Sequence, residues 1–502
     1  MQAIIGVDIG TTSTKTALFD RTGKILAQEN LTYPLYEPQV DYAEEDPEQI
    51  LTAVLQGITA VSAVANRRHI TITGVSFSAA MHSLILLDGA HQPLTRVITW
   101  ADNRAIRQSQ ALEDSGAAQC LYLKTGTPNH PMTPLAKLIW FREKQPALFK
   151  QVRHVSGIKG YIFWRLFGQD VSDYGIASTT GMFDSQTLTW EPQALALTGL
   201  TLKQLPQLVA TETLFTGLSP AIATQLGLSE SVPFIIGSSD GALANLGVGA
   251  TTSDTLAVSI GTSGALRLVV DHPIFDPTGK LFCYVVDSRR WVVGGPVNNG
   301  GIVLQWVLEQ WFPETAQMTY PELMTLAAQS VPGAHGLIFL PYLGGERAPI
   351  WNPEARGTLL GLTRKHTQAD MVRAVLEGVI FNLGAVKQLV EKRVGPFNKI
   401  QATGGFTQTN LGMQILADCF NQPVEVAKRA MGSAWGAALL GFQALGIKPI
   451  ELHEEPMTSP QRWHPEPESV VRYQELMTIW QHCGDALALQ YHQIAQFQKK
   501  YN

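Results

Sequence analysis

The sequence predicts an α/β protein made of two similar lobes that face each other across a central cleft. Residues 7–16 read as an apolar strand, a turn of one glycine and several hydroxyl residues, and a returning strand. Residues 257–266 repeat that order half a chain later. Strand and helix patterns alternate after the first copy, which is typical of an α/β domain. One strand–turn–strand unit in each half predicts one such unit per lobe.

Length, composition and charge limit the possible functions. A chain of 502 residues can bury a large core and is expected to form at least two domains, which we place at 1–246 and 247–502. Its composition, 45% hydrophobic and 16% charged, is typical of globular proteins. A net charge of −5 without a long basic run argues against a nucleic-acid partner.

The cysteines and the N-terminus indicate a cytoplasmic protein. Cys120, Cys283, Cys419 and Cys483 are far apart, which fits neither a disulfide framework nor a zinc site. The first residues lack the basic segment of a signal peptide, and Asp8 interrupts their apolar run. Since no apolar run reaches about 18 residues, we expect no membrane span and no membrane partner.

Local signals predict where several elements begin and end. Asp46 suits a helix N-cap and Pro47 the first turn, and apolar residues then recur on one helical face: Ile50, Val54, Ile58 and Val61. Apolar runs predict strands at 25–33, 70–77 and 84–87 and a helix at 157–167. The small polar residues 172–181 predict a loop, and the chain from 467 onward predicts terminal helices.

The first turn has the chemistry of a phosphate site. Its backbone N–H groups converge, Gly10 allows close approach, and hydroxyl donors come from Thr11, Thr12 and Ser13. Asp8 beside the turn suits Mg²⁺, which prefers oxygen ligands. The alternative is a polar hairpin with nothing bound. Ser259 replaces the aspartate in the second copy, so only the first lobe supplies a carboxylate.

Further candidates follow strands of the first half. Asp240 ends the apolar run 234–239 and precedes an Ala/Gly-rich helix. Its carboxylate either takes part in the chemistry or is the N-cap of that helix. His82 can donate to and accept from a polyol, or it is a hydrogen-bonded core histidine. Trp100, Asp102 and Arg104 are close enough in sequence to stack on and clamp a small polar ligand. In the equally open alternative, Asp102 is the cap of the next helix and Arg104 is a solvated residue of its first turn.

Glycine turns open two helices of the second half. Gly300 and Gly301 precede a helix that carries Gln305, and Gly404 and Gly405 precede another. Such turns at helix N-termini suit anions or the close approach of a nucleotide, although glycine turns also simply connect elements.

Together these motifs resemble those of the FGGY carbohydrate kinases, which have actin-like/ribonuclease-H-like ATPase lobes. Residues 132–141 are similar to the family's first signature, from which Lys144 departs at the last position. Residues 357–362 with 370–377 fit the second signature throughout. The resemblance covers nearly the whole chain. It implies an ATP-dependent, Mg²⁺-using kinase whose N-terminal lobe is the sugar and phosphate side and whose C-terminal lobe is the nucleotide side.

The resemblance also implies a role for each candidate. Asp240 matches the catalytic base and Asp8 the magnesium-associated carboxylate. The substrate side comprises Met81, His82, Trp100, Asp102, Arg104 and Asp240. The phosphate and nucleotide contacts comprise Thr11, Thr12, Ser13, Lys15, Gly261, Thr262, Gly300, Gly301, Gln305, Gly404 and Gly405.

Three short sequence segments favour D-gluconate as the substrate. Residues 77–83, 99–104 and 345–351 are most similar to the bacterial gluconokinase branch of the family. A substrate carboxylate needs a cation, for which Arg104 is the candidate unless it pairs with Asp102. We expect lobe closure to exclude water from the reaction. The alternatives are a xylulose or other pentulose kinase and a non-catalytic sugar or nucleotide sensor, and the assembly, monomer or homodimer, is left open.

Overall fold

The computed structural model describes residues 1–313, 318–427, 432–450 and 461–501. The strands, in chain order, are β1 (Gln2–Ile9), β2 (Ser13–Asp20), β3 (Ile25–Thr32), β4 (Glu44–Glu45), β5 (Thr71–Ala79), β6 (Ile85–Leu87), β7 (Val97–Ile98), β8 (His154–Ser156), β9 (Val171–Asp173), β10 (Phe183–Asp184), β11 (Thr189–Trp190), β12 (Gln207–Val209), β13 (Leu214–Phe215), β14 (Phe234–Ser239), β15 (Thr255–Ile260), β16 (Gly264–Val270), β17 (Phe282–Asp287), β18 (Arg290–Val297), β19 (Ile338–Leu340), β20 (Thr358–Leu360), β21 (Lys399–Thr403), β22 (Val424–Val426) and β23 (Arg462–Trp463). The α-helices are α1 (Pro47–Arg67), α2 (Ile106–Asp114), α3 (Ala117–Thr125), α4 (Pro134–Lys144), α5 (Pro146–Phe149), α6 (Ile158–Phe167), α7 (Tyr174–Ala177), α8 (Pro192–Thr198), α9 (Pro220–Leu226), α10 (Asp240–Gly247), α11 (Gly301–Trp311), α12 (Tyr320–Ala327), α13 (Gln368–Val394), α14 (Asn410–Phe420), α15 (Gly432–Ala444), α16 (Pro467–Ala486) and α17 (Ala488–Tyr501).

The chain folds into two compact units, each assembled from separate stretches. The first unit comprises Met1–Thr251, Val270–Val292 and Met431–Glu455. The second comprises Thr252–Val269, Val293–Ala430 and Pro456–Asn502. The predicted domain boundary after residue 246 stays a prediction, and the compact units differ from it because β17 and α15 belong to the first unit.

A six-stranded sheet organises the first unit. Its order is β13-β14-β5-β1-β2-β3. Strand β1 pairs antiparallel with β2 and parallel with β5, and β5 pairs parallel with β14. Helix α15 packs against the sheet, where a Cβ on Gly6 would lie 2.1 Å from the Ala434 carbonyl oxygen. Only glycine at position 6 permits that approach. The antiparallel pairing of β1 with β2 confirms the predicted first hairpin, and β1 packs directly against α15.

Helix α1 begins as the sequence predicts. The Asp46 side chain accepts from the N–H groups of Glu48 and Gln49, and Pro47 occupies the first turn. Its apolar face is fully buried in the core of the first unit. This helix is also long and apolar enough to cross a membrane by length and composition alone, and 50% of its most apolar window is buried in the protein. The core helix of a globular protein passes the same test.

The prediction of a loop at residues 172–181 is wrong. This segment contains the end of β9 and the one-turn helix α7. The Asp173 carboxylate caps α7 by accepting from the Ile176 N–H at 2.9 Å. Asp173 also pairs with Lys159 on α6, and that long-range pairing is not visible in local composition.

The second unit repeats the strand succession of the first. Six strands of its seven-stranded sheet run in the order β18-β16-β15-β21-β22-β23. Here β15 pairs antiparallel with β16 and parallel with β21, β21 pairs parallel with β22, and β23 closes the edge antiparallel. Helix α13 is buried along most of its length, and α16 and α17 follow as predicted. Two sheet-containing units with this succession confirm the predicted α/β class.

Candidate active site

The first phosphate turn joins β1 to β2 and is braced from β3. The Gly10 N–H donates to the Ser13 carbonyl at 3.0 Å, which closes the turn. Tyr33 donates its hydroxyl to the Gly10 carbonyl at 2.6 Å. Burial raises the pKa of Tyr33, so its phenol stays protonated and remains a donor. Within the turn Thr12 is exposed, whereas Thr11 and Ser13 are half-buried, so hydroxyl groups remain accessible for an anion.

Asp8 lies at the end of β1, next to this turn. The parallel register places it beside Ser78 of β5, whose hydroxyl donates to Asp8 Oδ1 at 2.9 Å. Across the hairpin it faces Lys15, which is exposed. A half-buried carboxylate held by a neighbouring hydroxyl is a suitable oxygen ligand for Mg²⁺.

His82 occupies a strained position after β5. Its φ of 63° lies in the left-handed region, and the residue is 5% exposed. His82 Nδ1 lies 2.6 Å from the Thr179 carbonyl oxygen. A carbonyl only accepts, so Nδ1 carries the proton and Nε2 has the chemistry of an acceptor. The neighbouring Met81 is half-buried and packs against α10 and α15 of the same unit.

Lys137 on α4 orders both predicted substrate segments, a role that the sequence analysis missed. Its Nζ donates to the Thr99 carbonyl at 2.6 Å and to the His82 carbonyl at 3.4 Å. Burial lowers the pKa of Lys137 to about 7, and the nearby charge of Asp102 opposes that shift. Lys137 lies within the first signature, to whose residues the sequence analysis gave no individual role. A lysine inside an apolar helical run was the available signal.

Asp102 and Arg104 pair with each other in the first unit. Arg104 Nη2 lies 2.7 Å from Asp102 Oδ2 and 2.6 Å from Glu44 Oε1, and the Arg104 side chain is 3% exposed. Its guanidinium carbon also lies 3.7 Å from the centre of the Tyr42 ring. Burial alone would lower the pKa of Arg104, but Asp102 and then Glu44 raise it above its ordinary value. The structure therefore favours the alternative in which Arg104 pairs with Asp102, and it leaves this cation engaged within the protein.

Trp100 connects the predicted substrate segment to the predicted phosphate turn. Its indole N–H donates to the Thr11 hydroxyl. The first unit thus places Trp100 beside Thr11, in the turn that follows Asp8. Lys137 links the segment before Trp100 to His82 through the carbonyls of Thr99 and His82.

Asp240 is the first residue of α10, directly after β14. Ser239 occupies the N-cap position without a side-chain cap bond, so Asp240 is not the cap. Its Oδ1 accepts from the Gly241 N–H at 2.7 Å, and the residue is half-buried. Lys159 interacts electrostatically with this carboxylate and donates to the Ser238 carbonyl at 2.9 Å. A carboxylate fixed at the end of a buried strand can orient a hydroxyl and accept its proton.

The second turn is built from four glycines. The Gly261 N–H donates to the Ser263 carbonyl at 2.9 Å. The N–H groups of Gly301 and Gly300 then donate to the carbonyls of Gly261 and Thr262, at 2.7 Å and 3.2 Å. A Cβ on Gly404, whose φ is 96°, would lie 2.2 Å from the Ile260 carbonyl oxygen. These glycines hold the turn by close backbone packing, while Gly261 and Thr262 themselves are exposed.

The remaining predicted nucleotide contacts are exposed in the same unit. Gly405 opens a short 3-10 turn before α14 and is exposed. Gln305 is exposed on α11, where its amide donates to Glu309 at 2.8 Å. A buried carboxylate that the sequence analysis missed, Glu346, accepts from Asn299 at 2.9 Å and so orders the turn before Gly300. Burial raises the pKa of Glu346 to about 7, and Asn299 opposes that rise.

Known proteins are similar to this chain in sequence and in fold. The description "FGGY family of carbohydrate kinases, N-terminal domain" fits residues 3–247, and the C-terminal domain of that family fits residues 256–445. Gluconokinase from Bacillus subtilis is 42% identical over 99% of this chain and 98% of its own. Xylulose kinase from Lactococcus lactis is 28% identical over 99% of both chains.

Solved structures of similar proteins have the same fold as this chain. The structure of gluconate kinase from Lactobacillus acidophilus has a TM-score of 0.91 and 38% identity, and the match covers 98% of this chain and 99% of that one. A ligand-bound xylulose kinase from the same organism gives the same TM-score of 0.91 and 38% identity, with coverage of 98% and 100%.

Proposed function

Because this chain belongs to the FGGY family of carbohydrate kinases, we propose that it uses ATP to phosphorylate the terminal hydroxyl of D-gluconate, giving 6-phospho-D-gluconate. The observation that carries the substrate is the identity to a gluconokinase, 42% against 28% for a xylulose kinase over the same share of the chain. The second candidate substrate is xylulose, since neighbours bearing either name share one fold and one level of identity.

Asp240 is the proposed base. Phosphoryl transfer depends mainly on positioning and charge neutralisation, so a carboxylate need only orient the hydroxyl and take its proton. The Gly241 N–H holds Oδ1 at 2.7 Å, and α10 fixes the backbone immediately behind it. That support favours a single orientation of the carboxylate during transfer.

The phosphates of ATP are the proposed ligands of the Gly10–Ser13 turn, with Thr11, Thr12 and Ser13 as donors. In the second unit the exposed Gly261–Thr262 turn has the matching backbone chemistry. Gly300, Gly301, Gln305, Gly404 and Gly405 are the proposed surroundings of the nucleotide. Asp8, held by Ser78 at 2.9 Å, fits Mg²⁺ and is its proposed ligand. When bound, Mg²⁺ neutralises charge on the transferring phosphate.

The polyol is proposed to meet His82 and Trp100. With Nδ1 committed to Thr179, His82 supplies an acceptor to a sugar hydroxyl. Trp100 offers an aromatic face of the kind that stacks on sugars. The reaction is proposed to occur in the cytoplasm, where ATP is available.

A substrate panel tests this proposal. ATP consumption by the full chain is measured with D-gluconate, xylulose, ribulose and glycerol at equal concentration, and without acceptor. The highest kcat/KM is expected for gluconate. A higher value for xylulose would overturn the substrate. Absent turnover with every acceptor would support the non-catalytic sensor alternative, and turnover that does not depend on the acceptor would contradict the kinase assignment.

The role of Asp240 is tested separately. Asp240→Asn is expected to lower kcat by roughly 10²–10⁴ while leaving the affinity for a non-hydrolysable ATP analogue nearly unchanged. Asp114→Asn, at an exposed position on α2, serves as the matched control. Near wild-type turnover by Asp240→Asn would remove this residue from the mechanism.

A further inference from the structure

Two histidines and one aspartate converge in the first unit, apart from every residue assigned to phosphoryl transfer. His154 Nδ1 lies 3.0 Å from Asp170 Oδ2, and His91 Nε2 lies 3.4 Å from the same oxygen. All three atoms lie within 4.8 Å of one another. We call this group the His91–His154–Asp170 cluster.

Three separate backbone segments hold the cluster in place. His91 sits in the turn after β6, which Asp88 Oδ1 closes by accepting from the N–H groups of Ala90 and Gln92 at 2.8 Å and 2.9 Å. His154 opens β8, where it pairs with Leu87. Asp170 directly precedes β9, and its carbonyl accepts from the Gln207 N–H at 3.0 Å. The three side chains are therefore brought together by backbone that does not depend on their own interactions.

Aromatic stacking fixes the two imidazoles further. The His91 ring stacks on Trp164 with 3.6 Å between ring centres and on His154 with 3.7 Å. This places His91 between two flat partners and limits rotation of its ring. Because stacked rings hold their nitrogen lone pairs in nearly parallel planes, the His154 ring has to tilt away from His91 before both nitrogens reach one ion.

His91 carries an unsatisfied buried nitrogen. The residue is 9% exposed, and its Nε2 is buried without a hydrogen-bond partner. Its 3.4 Å approach to Asp170 Oδ2 does not have hydrogen-bond geometry, so this buried nitrogen is available to a bound ion.

The spacing matches a transition-metal site. Ligands about 2.0–2.1 Å from a tetrahedral zinc ion lie about 3.3–3.4 Å from one another. The observed separations of 3.4 Å and 3.0 Å from Asp170 Oδ2 are close to that value. We propose that the His91–His154–Asp170 cluster binds a divalent transition-metal ion of the Zn²⁺ class, with water in the fourth position. Two imidazoles favour such an ion over Mg²⁺, which takes oxygen ligands.

The ion would tie together the turn after β6, the start of β8 and the residue before β9. Binding to the folded state alone stabilises that state according to ligand concentration. The site is thus structural for the first unit and independent of the phosphoryl-transfer chemistry.

Metal titration of the full chain tests the proposal. Tag-free protein is stripped with a chelator, dialysed, and titrated with ZnCl₂ by calorimetry and with CoCl₂ by visible absorption in a non-chelating buffer. One ion per chain, a tetrahedral Co²⁺ spectrum displaced by Zn²⁺, and a raised Tm are expected. The expected stoichiometry should persist in excess Mg²⁺.

Three variants identify the ligands. His91→Asn, His154→Gln and Asp170→Asn should each weaken zinc binding at least about tenfold, because loss of a direct ligand costs no less than loss of a residue that only orients a ligand. Asn is chosen at position 91 because it tolerates the left-handed φ of 57° found there. His272→Asn, in an exposed His–Asp pair of the same unit, is the control.

Two outcomes would overturn the site. One is wild-type protein without micromolar zinc binding. The other is unchanged binding in all three cluster variants, which would locate the ion elsewhere. Circular dichroism and metal-free melting of each variant distinguish a lost ligand from a lost fold.

Discussion

Trp100 donates its indole N–H to the Thr11 hydroxyl across 2.9 Å. One end of this bond lies in the predicted polyol segment and the other in the turn between β1 and β2. The bond therefore gives a physical route by which substrate placement and phosphate placement depend on each other within the first unit.

A double-mutant cycle measures this dependence. Trp100→Phe keeps an aromatic ring and removes the donor, whereas Thr11→Val keeps the shape and removes the acceptor. Each single variant should raise KM for both ATP and the polyol, and the double variant should lose less than the sum. A coupling of about 0.5–1.5 kcal/mol in kcat/KM is expected for one hydrogen bond.

The control pair is Trp190→Phe with Thr11→Val. Trp190 donates to the Pro206 carbonyl instead, so this pair shares no bond. Strict additivity for Trp100 and Thr11 would show that the bond does not couple the two segments.

The pairing of Arg104 leads to a second prediction. Arg104→Ala leaves Asp102, which is fully buried, without its partner, and breaking such a pair costs about 3–5 kcal/mol of stability. Because the side chain is 3% exposed and binds two carboxylates, kcat/KM should fall to a similar extent for gluconate and xylulose. Denaturant unfolding and kinetics with both substrates measure the two effects.

Two further variants serve as comparisons for Arg104→Ala. Arg104→Lys keeps the charge but not the fork that reaches Asp102 and Glu44 together, so intermediate stability is expected. Arg107→Ala, exposed on α2, should be nearly neutral. A loss confined to gluconate would instead return Arg104 to the role of carboxylate partner.

The sequence predicted elements whose signals are local. Hydroxyls between two apolar runs predicted the β1–β2 hairpin, and Asp46 with Pro47 predicted the start of α1, because these patterns act within a few residues. It did not choose between partners distant in the chain. Arg104 had two open roles until Glu44 was brought to it across a strand pairing.

Buried charges were the features that sequence reasoning missed. Residues 172–181 look like a loop because they are small and polar, yet Asp173 is buried there against Lys159. Lys137 received no role from the sequence, yet it hydrogen-bonds two separate segments. In both cases the partner lies in another element, and single-sequence periodicity does not encode it.

Lys159 and Asp173 yield a third prediction, in which Lys159 is a positioning residue for Asp240. The pair lies 2.8 Å apart with both side chains 1% exposed, and Lys159 also holds the Ser238 carbonyl. Burial lowers the pKa of Lys159 and raises that of Asp173, while their mutual attraction opposes both shifts. Lys159→Met/Asp173→Asn removes both charges and should lower kcat roughly ten- to a hundredfold through misplacement.

The pH profile separates positioning from simple destabilisation. Of the two charges removed, that of Lys159 interacts with the Asp240 carboxylate, whereas Asp173 interacts with Lys159, so the acid limb of kcat should move to higher pH. Lys387→Met, which breaks an i,i+4 pair with Glu391 in the second unit, should leave that limb unmoved. An unchanged limb in the Lys159 variant would reduce its role to stability.

The last prediction concerns Glu45, which is 4% exposed and has a buried Oε1 without a hydrogen-bond partner. Burial raises the pKa of Glu45 from 4.5 to about 8. Between these values the folded protein keeps a proton that the unfolded chain has lost, so the free energy of unfolding falls as pH rises through this window. Glu45→Gln mimics the protonated form and removes this slope.

Comparison at two pH values isolates the Glu45 contribution, because other groups titrate alike in both proteins. Near pH 5 the Gln variant should match the wild type, and near pH 9 it should be more stable by up to about 4 kcal/mol. Glu37→Gln, at an exposed position, should show no such difference. Denaturant unfolding at each pH supplies the free energies. Parallel pH dependences for wild type and Glu45→Gln would mean that Glu45 is ionised in the folded protein, with its charge compensated by groups around β4.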